Sequence, residues 1–149
     1  MINWKRIDVG TFHVTTEMQE NIAKVLQSGQ LSYGPFSHNF EMSFASMHEC
    51  DYGVLSNSGT SSLLVALQTL KDLESWKDGD EVLIPSVTFV ATANIVLQTG
   101  MTPVPVDVEH NYYCVDPQKM YKHITDKTRC VIPVHAFGQP AGIVTGKQC

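Results

Sequence analysis

The residues best placed to do chemistry stand together in one run, Val54-Leu55-Ser56-Asn57-Ser58-Gly59-Thr60-Ser61-Ser62-Leu63. Hydroxyl side chains surround a single glycine, and the run opens onto Leu63, Leu64, Ala66, Leu67 and Leu70, an apolar stripe of helical period. A short strand is expected before the turn and a helix after it. A helix start carries unpaired N–H groups and roughly half a positive charge, so an anion against Gly59 and Thr60 gains hydrogen bonds and a favourable dipole together. Gly59 lets the backbone come close, Thr60 adds a hydroxyl, and Ser58 stands beside them. The same residues also suit a plain helix cap on Ser58 or Thr60. On this stretch alone both readings stay open.

Elements on either side must position that turn. Thr16 reads as an N-cap with Gln19 three residues on, and Met18, Ile22, Val25 and Leu26 make the stripe of a helix closed by Gly29. Tyr33-Gly34-Pro35 is a turn into a second helix with Phe36, Phe40, Phe44 and Met47 on one face. Strands are expected over Asp51 to Ser56, Glu81 to Pro85, Pro103 to Val108 and Cys130 to His135. Helices are expected from Thr60 to about Leu70, from Phe89 to Gln98, and from Asp116-Pro117 to about His123. The prolines of Pro103 to Val108 argue for an edge strand. Strands alternating with helices imply an α/β architecture with a mainly parallel sheet, whose ligands sit at the carboxyl ends of strands. The exits to watch are Asn57 to Thr60, Ser86 to Phe89, Asp107 to Val108, and His135 to Gln139. One domain over residues 1–149 is expected, with no internal repeat.

Composition excludes several classes. At 149 residues and 43% hydrophobic content a real core is possible. Ten Lys plus Arg against fifteen Asp plus Glu, net charge −5, give no footprint for nucleic acid. No apolar run reaches the ~20 residues of a membrane span, and the N-terminus has no leader-like segment, so a cytosolic protein is expected. Cys50, Cys114, Cys130 and Cys149 form no Cys-x-x-Cys pair, and the histidines show no ligand spacing. A disulfide framework or a metal site therefore lacks support.

The turn at Gly59 is not a dinucleotide fingerprint, which wants three glycines, nor a P-loop, which wants Gly-Lys-Ser/Thr. What remains is a cradle for a single phosphate, with the aromatic Phe89 at the next strand exit. That pairing suits pyridoxal phosphate, a phosphate on a flat ring. The chain resembles the DegT/DnrJ/EryC1/StrS sugar aminotransferases, enzymes of aspartate aminotransferase fold type I. Six ordered blocks carry the resemblance: Ser28-Gly29 with Tyr33-Gly34-Pro35, Ser56 to Thr60, Gly79 to Val82, Pro85 to Thr92, Gly100 to Val104 with Val106-Asp107-Val108, and Ile132 to Pro140. Together they span about residues 28–141, and the tail 142–149 departs from the pattern.

The resemblance implies a three-layer α/β large domain, of which this chain is the N-terminal part, and pyridoxal phosphate as cofactor. It implies Gly59 and Thr60, with Ser58 beside them, on the phosphate, and Phe89 stacked on the pyridine ring; without it Phe89 reads as a core aromatic. Tyr33 and Gly34 match a loop near the substrate or the partner subunit's site, or are only a turn before a helix. His135 faces the cofactor or substrate, or is merely packed at a strand end. The implied substrates are an amino acid donor, commonly glutamate, and a nucleotide-linked keto sugar, and the implied assembly is a homodimer.

Two parts of that chemistry are missing from the motifs. Transamination needs a lysine to hold the cofactor and a carboxylate against the pyridine nitrogen. The family keeps the carboxylate in a Glu-Asp-x-Ala-Gln block and the lysine in a Ser-Phe-x-x-x-Lys block, and neither occurs here. Lys5, Lys24, Lys71, Lys77, Lys119, Lys122, Lys127 and Lys147 all stand in other settings. A truncated, catalytically incomplete piece is therefore expected. The alternatives are a non-catalytic module that pairs with an intact subunit, or part of a sugar dehydratase of the same family.

Overall fold

A computed structural model describes residues 13–142. They fall into two compact units, one up to Leu55 and one from Ser56.

The first unit is helical. α1 (Thr16–Ser28) is capped by Thr15, not by Thr16: the Thr15 side chain accepts from the Met18 N–H at 3.2 Å. The extended backbone and free side chain fall one residue earlier than the pattern suggested, so Gln19 is no capping-box partner and its N–H instead bonds the Thr15 carbonyl. Gly29 ends α1 in the left-handed conformation at φ 68°. α2 (Pro35–Met47) starts on Gly34 with proline in its first turn. The stripes of both helices are real but uncovered, since α1 buries no residue and α2 buries only Ala45.

The segment from Asp51 to Leu55 forms no ladder. None of the described strands pairs with it, so the strand expected over Asp51 to Ser56 is corrected to an unpaired segment. An apolar alternating run supplies propensity only, and a strand exists when a neighbour satisfies its N–H and C=O groups.

The second unit holds the sheet. β1 (Glu81–Pro85) is central, with β2 (Thr102–Val106) and β3 (Thr128–Val131) parallel to it on either side. β1 is buried on both faces, which is why Val-Leu-Ile reads as a continuous apolar run rather than an alternation. Val82 and Ile84 pack against Leu67 of α3 (Gly59–Leu73) and Ile95 and Val96 of α4 (Val90–Gln98). On the other face Leu83 packs with Val106, Val115 and Met120, the last in α5 (Pro117–Lys122). Helix, sheet and helix make the three layers.

β2 takes the edge position, and its register explains the prolines. The Thr102 N–H reaches the Asp80 carbonyl and the Ser86 N–H reaches the Val106 carbonyl, so alternate residues 102, 104 and 106 turn toward β1. Pro103 and Pro105 then face outward, where no N–H is needed. β3 begins at Thr128 and ends at Val131, two residues before and four residues short of the expected span. Ile132 still donates to the Leu83 carbonyl, after which Pro85 of β1 lacks the N–H that would answer the Ile132 carbonyl.

An ion pair locks the entry to β1. Asp80, 7% exposed, receives Arg129 Nε at 2.8 Å from β3 and the Lys77 N–H at 2.8 Å. The Arg129 hydrogen bond, then that from Lys77, holds the carboxyl below its ordinary value of 3.8. A lowered folded value stabilises at pH above 3.8 and is lost as pH falls through it. Acid titration followed by circular dichroism should show a loss of stability below about pH 4 that Asp80→Asn removes; an unchanged acid limb would contradict it.

Candidate functional site

The turn at Ser56 to Ser62 is a hydroxyl network closed on itself. Ser58 caps α3, its side chain accepting from the Ser61 N–H at 3.1 Å, and its carbonyl takes the Ser62 N–H at 3.0 Å. Ser56 Oγ donates to the Ser58 carbonyl and pairs with Ser62 Oγ. Ser58 is therefore a structural cap, one of the two readings open from sequence. The N–H groups of Gly59 and Thr60 make no hydrogen bond among the described residues, as the first turn of a helix requires. A Cβ added at Gly59 would meet nothing within 4 Å, so the flank of the helix start is open there. Free donors, open space and a helix dipole fit a phosphate.

Phe89 stands at the same end of the layer. Lys71 near the end of α3 bonds both Asp78 and the carbonyl of Thr99, the residue that ends α4. One lysine thus ties the two C-termini together. Counting back at 1.5 Å per residue, Gly59 lies about 18 Å along α3 and Phe89 about 15 Å along α4 from that tie. With Leu64 and Leu67 of α3 in one cluster with Ile95 and Val96 of α4, that tie directs both helix starts toward the end of the sheet where β1 finishes. Phe89 is the N-cap residue of α4 and is 74% exposed. It is not a core aromatic. An exposed ring beside a helix start is free to take a flat partner.

His135 leaves the neighbouring exit, beyond β3. Its Nδ1 accepts the Ala141 N–H at 2.9 Å, closing a loop around the 3-10 turn Ala136–Gly138. Ala136 and Ala141 are buried with Cys114, whose thiol donates to the Gln139 carbonyl. At the other exit Asp107 pairs with Lys119 and lines an open cleft of about 470 Å³ with Val87, His110 and Tyr113. The hydrogen bond from Lys119 holds the Asp107 carboxyl below its ordinary value. That carboxylate is engaged and not a free base.

In the helical unit, the Tyr33 hydroxyl donates to Glu41 Oε2 at 2.6 Å, and Glu41 Oε1 takes the Leu55 N–H at 2.7 Å. The bond to Glu41 raises the phenol, and that from Tyr33 lowers the carboxyl. A Cβ on Gly53 would fall 2.6 Å from the Glu41 carbonyl oxygen, so glycine is needed for this close approach. Sequence reasoning missed Glu41 and Lys71, because a charged residue on a helix signals nothing about a backbone group 14 or 28 residues away. Among the described residues no cluster fit to hold a metal is found.

With this geometry stands the comparison with known proteins. The model of the DegT/DnrJ/EryC1/StrS aminotransferase family matches residues 13–146, and the chain belongs to that family. It is 42% identical over 125 residues to dTDP-3-amino-3,4,6-trideoxy-alpha-D-glucose transaminase of Streptomyces venezuelae, covering 84% of this chain and 32% of the relative. It is 39% identical to the spore coat polysaccharide biosynthesis protein SpsC of Bacillus subtilis, over 83% of this chain and 30% of that protein. The chain spans about a third of the length of these curated relatives. The crystal structure of S. venezuelae DesV matches with TM-score 0.73 and 40% identity, over 85% of this chain and 33% of that one. An Escherichia coli GDP-4-keto-6-deoxy-D-mannose-3-dehydratase with bound hydrated PLP matches with TM-score 0.81 and 25% identity, over 87% and 34%. The fold is that of the type I pyridoxal phosphate-dependent aminotransferases, α/β with a parallel sheet.

Proposed function

We propose that this chain is the N-terminal part of the large domain of a pyridoxal phosphate-dependent enzyme that moves an amino group, from glutamate, onto a nucleotide-linked keto sugar. The reading is supported by the free N–H groups of Gly59 and Thr60 at the start of α3 and by the exposed ring of Phe89 at the start of the adjacent α4. When bound, pyridoxal phosphate supplies an electron sink. In this reading Gly59 and Thr60 bind its phosphate, Ser58 holds their turn rigid, and Phe89 stacks on the ring and keeps water from one face. Tyr33 and Gly34 serve the substrate side on the family's pattern, Tyr33 through its exposed ring, since its hydroxyl is held by Glu41. His135 serves the same rim.

The Schiff-base lysine and the carboxylate for the pyridine nitrogen lie outside these 149 residues in this reading, so the chain by itself is inactive. Whole-protein activity in a cytoplasmic homodimer belongs to the same proposal; the uncovered stripes of α1 and α2 support association. Among the described residues no helix is long and apolar enough to cross a membrane. A sugar dehydratase of the same family is the second reading, favoured by the likeness to the E. coli dehydratase.

Titration of the chain with pyridoxal phosphate, read by absorbance, tests the proposal. Saturable binding is expected, and Phe89→Ala should weaken it about threefold to tenfold, the worth of an aromatic pair. Stability should move by less than about 0.5 kcal/mol, as for other exposed positions. Absence of saturable binding would overturn the cofactor assignment. A borohydride-reduced adduct on one particular lysine would overturn the placement of that lysine elsewhere.

A further inference from the structure

Most polar groups at the rim already have partners: Ser56, Ser58 and Ser62 bond one another, Asp107 holds Lys119, and Thr88 pairs with Thr92. His135 is different, because only one of its two ring nitrogens is used. A backbone N–H can only donate, so the 2.9 Å contact from Ala141 requires Nδ1 to be unprotonated. The neutral ring then carries its proton on Nε2. That nitrogen is a donor, it makes no hydrogen bond among the described residues, and the side chain is exposed.

The loop that fixes this state is built at a cost. Phe137 adopts φ 53° and Gly138 φ 80°, which brings Gln139 back to the Ala136 carbonyl at 2.9 Å and Ala141 back to His135. A left-handed phenylalanine is a strained choice and persists only where its surroundings hold it. Here the hold is the buried cluster of Cys114, Ala136 and Ala141, with the Tyr113 ring edge-on to Phe137 at 6.2 Å. β3 neighbours β1, so His135 and Phe89 follow adjacent strands out of the same end of the sheet.

We infer that His135 is a hydrogen-bond donor, through Nε2–H, to an acceptor oxygen of the molecule seated against Phe89, and that the Ala141 contact exists to fix that tautomer. The inference rests on the cofactor reading above. The oxygen is the ring hydroxyl oxygen of pyridoxal phosphate or another acceptor on the same molecule. His135 neither gives nor takes a proton in this role, so it acts as a positioning residue.

Two substitutions separate this role from a structural one. In His135→Asn the side-chain oxygen can still accept from Ala141, but no donor remains at the far position. In His135→Gln the amide nitrogen reaches the position of Nε2, while the contact with Ala141 is given up. The donor role predicts that His135→Asn binds pyridoxal phosphate about threefold to tenfold more weakly, as for one lost neutral hydrogen bond, and that His135→Gln binds within about twofold of the unsubstituted chain. A purely structural role predicts the reverse order, and that result overturns the inference. Repeating the titrations with 3-deoxypyridoxal phosphate distinguishes the acceptors: a penalty confined to the hydroxylated cofactor assigns the ring oxygen, and an equal penalty assigns another oxygen. ¹⁵N spectra of the imidazole should show protonated Nε2 and bare Nδ1; the opposite tautomer overturns the inference. If the unsubstituted chain shows no saturable binding, the cofactor reading fails and this inference falls with it. Binding that persists unchanged in both variants removes the His135 role alone.

Discussion

Gly59→Asp should weaken phosphate binding about tenfold or more while leaving the fold intact or slightly firmer. Gly59 is the first residue of α3, its φ is not in the left-handed region, and an added Cβ meets nothing, so a side chain is accommodated. A carboxylate in the first turn of a helix interacts favourably with the dipole, typically by about 0.3 to 1 kcal/mol. The same carboxylate occupies the space in front of the Gly59 and Thr60 N–H groups and repels a phosphate there. Losing one or two hydrogen bonds to a charged group, each worth about 1.5 to 3 kcal/mol, corresponds to a drop in pyridoxal phosphate affinity of about tenfold or more. Thermal melting and cofactor titration on the same sample check both halves. A variant that binds normally would mean the turn is only a helix cap, and one that unfolds would mean the open space is not open.

Leu83→Ala should be the most damaging single truncation. Leu83 is fully buried at the middle of the central strand, packed with Val106, Val115 and Met120 under α5. Loss of the transfer energy plus the cavity left behind costs about 2 to 5 kcal/mol. Against a total of about 5 to 15 kcal/mol for a domain, that is a large fraction. A melting temperature lower by at least about 8 °C is expected. A fall of less than about 1 kcal/mol in chemical denaturation would contradict a sheet covered on both faces.

What the chain discloses in advance follows from how local each signal is. The strand at Glu81 to Pro85 is legible because burial on both faces demands an unbroken apolar run and proline ends it. The helices after Ser58 and Asp116 are legible because a capping hydroxyl or carboxylate marks their starts within three residues. The run from Asp51 to Leu55 has strand composition, but whether it pairs depends on a neighbour that sequence pattern does not supply. β3 begins and ends earlier than its composition suggests, because Val-Ile-Pro-Val-His looks more apolar than Thr-Arg-Cys-Val, while the ladder follows N–H supply and Pro85 of β1 has none to give. Gly59, Thr60 and Phe89 could be named from spacing and resemblance. That they share a rim could not, because it depends on Lys71 reaching the far end of another helix. The second nitrogen of His135 was equally hidden, since its state is set by one backbone N–H six residues on.

In the proposed site the start of α3 holds the phosphate of pyridoxal phosphate, with Phe89 against the ring. A crystal structure of the chain soaked with pyridoxal phosphate tests it most directly. Phosphate oxygens are expected within hydrogen-bonding distance of the Gly59 and Thr60 N–H groups, with the pyridine ring stacked on Phe89. A cofactor bound elsewhere on the surface, or a phosphate turned away from these two donors, would contradict it.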